Sequence, residues 1–200
     1  MKTYQSFING KVWNNRYRKF HGSAFLFEDY FLPGTVSVNG RTFKNLSIKY
    51  DIYSDEVLLP VSSDEIIQLN KEIVDSFSIT YDNRTYKFIR LRFDTLKSDN
   101  PAGYYNLLYS GQVSCFIKYK KEILPGLDPG KDFEFVQSHQ IYLKKDTVLY
   151  QVSKKKEIFQ TLMVEESEFK KSISDRKQNL SVDNPGSLIP LLRFYDSQVR

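Results

Sequence analysis

The chain has 200 residues, enough for one sizeable domain with or without a small appendage. Its apolar fraction of 40% and high aromatic fraction of 15% exclude an intrinsically disordered protein, and the abundance of Tyr and Phe favours β-strands. No apolar run approaches the roughly 20 residues that a membrane-spanning helix needs, which argues against an integral membrane protein.

The net charge of +5 is concentrated at the N-terminus. Residues 1–22 contain five of the 29 Lys and Arg residues and no acid, so the remaining 24 basic residues balance the 24 acidic ones. Such an arm can contact nucleic acid, an anionic membrane or an acidic protein, or it can be a solvated terminus. Aromatic residues alternate with the cations, and Trp, Tyr and Arg carry much of the energy at protein interfaces. The candidate partner-binding residues are Trp13, Arg16, Tyr17, Arg18 and Phe20.

The segments after the arm predict strands. Gly22-Ser23 connects the arm to an apolar strand at Ser23–Phe27 without a linker, which favours docking of the arm on the following domain. Pro33-Gly34 predicts a turn. From Thr35 to Phe93, apolar and polar residues alternate with period two, which predicts an antiparallel meander of four or five strands.

Within this meander, Asn39-Gly40 predicts a two-residue type I′ hairpin turn, because Asn and Gly accept the positive φ that this turn requires. The alternation after the turn predicts a strand with one buried and one exposed face. The residues expected to be buried are Leu46, Ile48, Tyr50 and Ile52, and those expected to be exposed are Ser47, Lys49 and Asp51. Asp82-Asn83 predicts a second turn.

The region up to Val152 continues with strands. They are predicted at Tyr104–Tyr109, Val113–Tyr119, Phe133–Val136, Gln140–Leu143 and Thr147–Val152. Closely spaced Pro-Gly steps between Lys120 and Lys131 predict a long mobile loop. After Ser153 the apolar spacing becomes helical. Helices are expected around Ile158–Leu162, at Glu165–Lys177 and at Leu188–Gln198.

The order of strands first and helices last predicts an α+β protein that is mainly β. The expected architecture is an antiparallel β-meander forming an open barrel or two packed sheets, with a short C-terminal helical segment. Three regions are predicted: a basic-aromatic arm at 1–22, an antiparallel β domain at 23–152, and a helical segment at 153–200 packed on it.

No motif for catalysis, a cofactor or a metal is recognised. His21 and His139 lie at no metal-ligand spacing to each other or to Cys115. Cys115 lies between Ser114 and Phe116 in a predicted strand and is expected to be a buried structural thiol. We therefore expect that the protein is not an enzyme and that it binds no cofactor. The alternative is an enzyme with an unrecognised carboxylate pair among Glu28-Asp29, Asp55-Glu56, Asp64-Glu65 and Glu165-Glu166.

Cations and aromatic rings alternate in three segments, Tyr17–Phe20, Tyr86–Phe93 and Phe116–Lys121. Strands that stack single-stranded nucleic acid have this pattern. A strand with its rings inward and its Lys or Arg side chains outward gives the same pattern. The neutral charge balance after residue 22 disfavours a nucleic-acid groove, so this remains an alternative.

The turn Leu32–Val36, the Asn39-Gly40 hairpin, the strand Ile48–Val57 and the C-terminal Leu191–Tyr195 together resemble a group of uncharacterised β-rich exported proteins of Bacteroidota. The resemblance covers Ser23 to Tyr195 and implies no activity. It implies a periplasmic or cell-envelope location, with a signal peptide already removed; a cytoplasmic location is the alternative. We therefore expect a non-enzymatic binding or scaffold module of the bacterial cell envelope. Its partner is expected to be a protein, with a glycan or a lipid as alternatives.

Overall fold

The computed structural model describes residues 10–17, 20–92, 101–125, 133–172 and 179–198. The strands in these ranges are β1 (Lys11–Val12), β2 (Leu32–Val38), β3 (Arg41–Asp51), β4 (Glu56–Pro60), β5 (Ile66–Gln68), β6 (Val74–Tyr81), β7 (Arg84–Leu91), β8 (Gly103–Ser110), β9 (Val113–Pro125), β10 (Phe133–Lys145) and β11 (Val148–Val152). The helices are α1 (Lys155–Leu162), α2 (Glu166–Ser172), a 3-10 helix (Pro185–Leu188) and α3 (Ile189–Gln198).

The eleven described strands form one open antiparallel sheet in the order β1-β5-β4-β3-β2-β6-β7-β8-β9-β10-β11. Every described helix follows the last strand. The prediction of a mainly antiparallel β protein of the α+β class with a short C-terminal helical segment is therefore confirmed. No helix in the described ranges combines the length and the apolar character needed to cross a membrane.

The predicted meander has six strands in the described ranges, β2 to β7, where the sequence predicted four or five. The strands β2 to β5 pair in succession, but β6 pairs with β2 instead of β5. This pairing aligns Val36 with Phe77 and Gly34 with Ile79. Val36, Phe77 and Ile79 are buried in one core, so burial of both strands' apolar faces accounts for the crossover.

The two predicted turns have the expected backbone geometry. Asn39 and Gly40 have φ of 47° and 75°, and Asp82 and Asn83 have φ of 49° and 57°. A type I′ turn requires positive φ at both central residues, so both hairpins match it in φ. The Gly40 amide also donates a hydrogen bond to Asp75 Oδ2 at 2.9 Å, which ties the turn to β6.

The predicted burial of the β3 face is confirmed. The exposed fractions of Leu46, Ile48, Tyr50 and Ile52 are 6%, 0%, 2% and 4%. The opposite face differs from the prediction at two positions.

Ser47 is exposed as expected, but Lys49 is half-buried and Asp51 is fully buried. The Lys49 ammonium lies 4.7 Å from the Phe25 ring centre and 4.8 Å from that of Phe31, so residues before β2 cover this face.

Segments that carry turn or loop residues also differ from the prediction. Pro33-Gly34 lies inside β2 because Pro33 is near the strand start and Gly34 borders a register shift, both positions where strands accept these residues. Ser23–Phe27 is irregular, with a single bridge from Phe25 to Asp51, and its three central residues are buried. The predicted loop at Lys120–Lys131 is wrong up to Pro125, which ends β9, and its remainder lies outside the described residues. The two strands predicted between Phe133 and Leu143 form one continuous strand, β10.

The chain divides into two compact units: unit 1 contains Met1–Tyr105 and Tyr119–Ser138, and unit 2 contains Asn106–Lys118 and His139–Arg200. The boundaries predicted at residues 22 and 152 stay a prediction. Unit 1 has a core in which Tyr50, Phe77, Phe88 and Tyr104 pack ring against ring.

In unit 2, buried residues lie on β9, on β10 and on the helices. Phe169 lies 6.2 Å from Phe159 and 5.8 Å from Phe194 by ring centres, which links the three α-helices. Cys115 is fully buried, as predicted, and burial raises the pKa of its thiol to about 12.

The start of α1 carries three lysines, Lys154–Lys156, whose charges are unfavourable near the positive end of the helix dipole. The Glu157 carboxylate offsets this cost, because it accepts hydrogen bonds from the Ser153 and Lys154 amides.

Candidate binding surface

The described residues of the N-terminal arm pack against other parts of unit 1, to which the arm belongs. The strand β1 pairs with β5, and the Trp13 amide donates a hydrogen bond to the Ile66 carbonyl at 2.8 Å. The half-buried Trp13 ring lies 6.0 Å from the Phe25 ring by centres. Arg16 is exposed, and Arg18 lies outside the described residues. These contacts favour the docked arrangement predicted from the direct connection at Gly22-Ser23.

Two predicted site residues, Tyr17 and Phe20, join a cluster of rings that we call the aromatic patch. Its members are Tyr17, Phe20, Tyr53, Phe133 and Phe135. Tyr17, Tyr53 and Phe135 contact one another with ring centres 5.3–5.7 Å apart, and Phe20 lies 5.6 Å from both Phe133 and Phe135. Most of these pairs are edge-to-face, the arrangement that the aromatic quadrupole favours. Trp13 lies elsewhere, on Phe25.

Backbone hydrogen bonds hold the two halves of the patch together. The His21 amide donates to the Phe133 carbonyl at 2.9 Å, and the Phe135 amide donates to the His21 carbonyl at 3.0 Å. These bonds bind the end of the arm to the start of β10. Phe133 and Phe135 are two residues apart on a strand, so they present their rings on the same face.

The patch is accessible from solvent. Tyr53 and Phe133 each have 43% of their surface exposed, and the other three members are half-buried. A contiguous group of exposed aromatic rings is unusual for a surface without a binding role, because each ring exposes apolar area to water. Arg16 is exposed on the same arm and adds a positive charge.

A buried carboxylate lies next to the patch. Asp51 Oδ1 accepts hydrogen bonds from the amides of Tyr53 and Ser54, both at 2.9 Å, whereas its Oδ2 has no partner within the described residues. Burial raises the pKa of Asp51, and these hydrogen bonds oppose the rise. The pKa of the Tyr17 hydroxyl is also raised, first by burial and then by the negative charge of Asp51. Asp51 therefore fixes the backbone that carries Tyr53 and borders Tyr17.

A second carboxylate, Asp55, has a full set of partners. The Tyr50 hydroxyl donates to it at 2.5 Å, the Lys71 ammonium pairs with it, and the Tyr104 amide donates to it at 3.3 Å. Asp55 has φ of 60°, and these contacts hold it in this left-handed conformation at the β3–β4 turn. Burial raises the pKa of the neighbouring Glu56. The arrangement of Asp55 is that of a structural ion pair. In the described ranges, no group of three or more His, Cys, Asp or Glu side chains is placed to hold a metal ion.

Two of the three segments with alternating cations and rings, Tyr86–Phe93 and Phe116–Lys121, have buried rings. Phe88 has no exposed surface and Phe116 has 5% exposed. Lys118, expected to lie on the outer face, is only 5% exposed. Rings buried in a core are not available to stack on nucleic-acid bases.

Comparison of the chain with protein-family models, with curated proteins and with solved structures finds no match. The functional proposal therefore rests on the geometry of the aromatic patch. Four residues at this surface were not predicted from the sequence: Tyr53, Phe133, Phe135 and Asp51. The pair Phe133 and Phe135, two apart on a strand, was the available signal, but nothing local shows that Tyr17 and Phe20 lie against them.

Proposed function

We propose that this chain is a non-enzymatic binding module of the bacterial cell envelope, and that the aromatic patch of unit 1 binds a protein partner. The observation that carries the proposal is a continuous group of five rings, each in contact with at least one other, of which Tyr53 and Phe133 are 43% exposed. Buried aromatic anchors dominate the energetics of protein interfaces. The location in the envelope rests on the resemblance to exported proteins alone.

A protein is favoured as the partner because the rings pack edge-to-face into one another instead of lying side by side on a flat surface. Such a compact apolar patch matches the centre of a protein interface, which is apolar and surrounded by polar residues. Arg16, exposed near the patch, is of the residue type enriched at such interfaces.

The two alternatives have weaker support. The carboxylate with the most partners, Asp55, is engaged by a tyrosine, a lysine and a backbone amide, which suits a structural role better than acid–base chemistry. The buried positions of Phe88 and Phe116 remove rings on which nucleic-acid bases would stack.

The test uses substitutions at the exposed rings. A photo-crosslinking amino acid placed at Phe133 should capture a partner from envelope fractions of the source bacterium, and the captured protein is then purified for calorimetry. We expect Tyr53→Ala to weaken binding by on the order of tenfold or more, as removal of an interface anchor does. The matched control is Tyr30→Ala, because Tyr30 is an exposed aromatic residue (55%) outside the patch and should leave affinity unchanged.

Tyr30→Ala should leave the melting temperature close to that of the parent protein, because Tyr30 is 55% exposed. Tyr53 is 43% exposed and contacts Tyr17 and Phe135, so Tyr53→Ala should lower the melting temperature moderately, and affinity is compared at a temperature where both variants are folded. Equal affinity of the Tyr53→Ala variant and the parent protein would refute the patch as the binding surface. Hydrolysis of a substrate or retention of single-stranded oligonucleotides by the parent protein would support an alternative instead.

A further inference from the structure

The strand β11 of unit 2 is the last strand in the sheet order and pairs only with β10 within the described residues. Its five residues pair without a register shift, whereas β2 and β8 both contain one. Its sequence, VLYQV, contains no charge and no proline. Natural edge strands are usually blocked by charges, prolines or bulges, and β11 has none of these protections.

The side chains of β11 leave apolar surface open to solvent. Val148 and Tyr150 have 47% and 41% of their surface exposed, and Gln151 is also exposed. Val152, at the end of the strand, is buried and anchors it to the unit 2 core. The exposed residues therefore belong to a firmly attached strand and not to a frayed end.

The backbone groups that face outward follow from the hairpin geometry. A two-residue loop joins β10 to β11, with Lys145 paired to Val148. Residues that flank such a loop form a hydrogen-bonded pair, and the hydrogen-bonded pairs then recur at every second residue. The amide and carbonyl groups of Leu149 and Gln151 therefore point away from β10, where they can bond to a further strand.

Exposed lysines lie on both sides of β11 along the chain. Lys144 is near the end of β10, and Lys154 and Lys156 follow β11. From residue 144 to residue 157 the chain has five lysines and two acids, Asp146 and Glu157. From the outward backbone groups, the exposed apolar side chains and this positive charge, we infer that β11 binds an extended peptide segment of another protein, which adds to the sheet as a further strand. The segment has an apolar centre flanked by acidic residues, because only such ends complement the lysines.

A second copy of this chain could pair its own β11 antiparallel at the same edge, and the light-scattering measurement below distinguishes that occupant from a peptide. The acidic peptide is the occupant that we propose, because lysines outnumber acids from residue 144 to residue 157.

The test measures binding of a fluorescein-labelled peptide, in which valine and threonine alternate between two acidic ends, by fluorescence anisotropy with the full chain. Gln151→Pro removes an outward amide and leaves the inner hydrogen bonds intact, since proline is tolerated at such edge positions. We expect Gln151→Pro to weaken binding by about tenfold or more, whereas Gln151→Ala, which keeps the amide, changes it by less than about twofold. Lys144→Glu combined with Lys156→Glu should also weaken binding, and high salt should reduce binding by the parent protein.

A second probe protects the test against misfolding of the proline variant. A peptide with N-methyl groups on one edge cannot donate to Leu149 and Gln151, so it should not bind the unmodified protein. No binding of the acidic peptide at about 1 mM, or equal binding by Gln151→Pro and Gln151→Ala, would overturn the inference. So would a dimer in light scattering that Gln151→Pro dissociates and that the peptide leaves intact.

Discussion

The buried carboxylate of Asp51 gives the sharpest test of how unit 1 is built. Its Oδ1 accepts two amide hydrogen bonds at 2.9 Å, from Tyr53 and Ser54, which organise the turn that carries a ring of the aromatic patch. Asp51→Ala leaves both amides without this acceptor. Losing two hydrogen bonds to a charged group costs about 3–6 kcal/mol in total, and removing the unpartnered Oδ2 returns about 1–3 kcal/mol. The expected net loss of stability is therefore about 0–5 kcal/mol, centred at about 2.5 kcal/mol.

Asp51→Asn is the matched control. Asparagine keeps an oxygen that can accept both amide hydrogen bonds but removes the buried charge, so we expect a smaller loss than with alanine. The two substitutions also differ in the effect of pH. Because the folded-state pKa of Asp51 is raised above its unfolded value of 3.8, ionisation of Asp51 opposes folding.

The sign of the pH effect follows from this shift. Below the unfolded pKa, Asp51 is protonated in both the folded and the unfolded protein, so the pKa shift has no effect on stability. As the pH rises through the unfolded and then the folded pKa, the parent protein loses stability, and Asp51→Asn does not lose this contribution. Urea unfolding of both proteins between pH 4 and pH 7 should therefore show the stability difference moving in favour of Asp51→Asn as pH rises. A pH-independent difference, or equal losses for asparagine and alanine, would refute this account of Asp51.

Four further substitutions test the fold. Gly40→Val should destabilise by on the order of 1 kcal/mol or more in thermal unfolding, because a β-branched residue tolerates a φ of 75° poorly; an unchanged melting temperature would contradict the turn. Ile48→Ala should cost roughly 2–5 kcal/mol in urea unfolding, since Ile48 has no exposed surface, and a cost below that of Lys49→Ala would contradict the strand register. Lys49→Ala should cost about 0.5–2 kcal/mol by the same assay, because the ammonium lies over two rings, and a neutral effect would place it in solvent. Asp196→Ala should cost about 1–3 kcal/mol, because the carboxylate accepts from the Tyr109 hydroxyl at 2.8 Å, and Asp196→Asn should lose less.

The sequence alone predicted features that depend on local geometry. Asn39-Gly40 specifies its own turn because few other residues accept positive φ at both positions. The alternation from Leu46 to Ile52 correctly predicted one buried face, because side chains of a strand alternate between two sides whatever the partner strand is. The change to helical spacing after Ser153 likewise located the helices within the described residues, and the predicted end of the second helix at Lys177 lies outside them.

The tertiary structure decided which segments meet. Asp51 has the sequence position of an exposed residue, yet it is buried because the Ser23–Phe27 segment lies against the end of β3, through the bridge from Phe25. The pairing of β6 with β2, and the meeting of Tyr17 with Phe135, join residues far apart in the chain. Local alternation is the same for any partner strand, so no single sequence pattern distinguishes these pairings. They depend on how much apolar surface the whole fold removes from water.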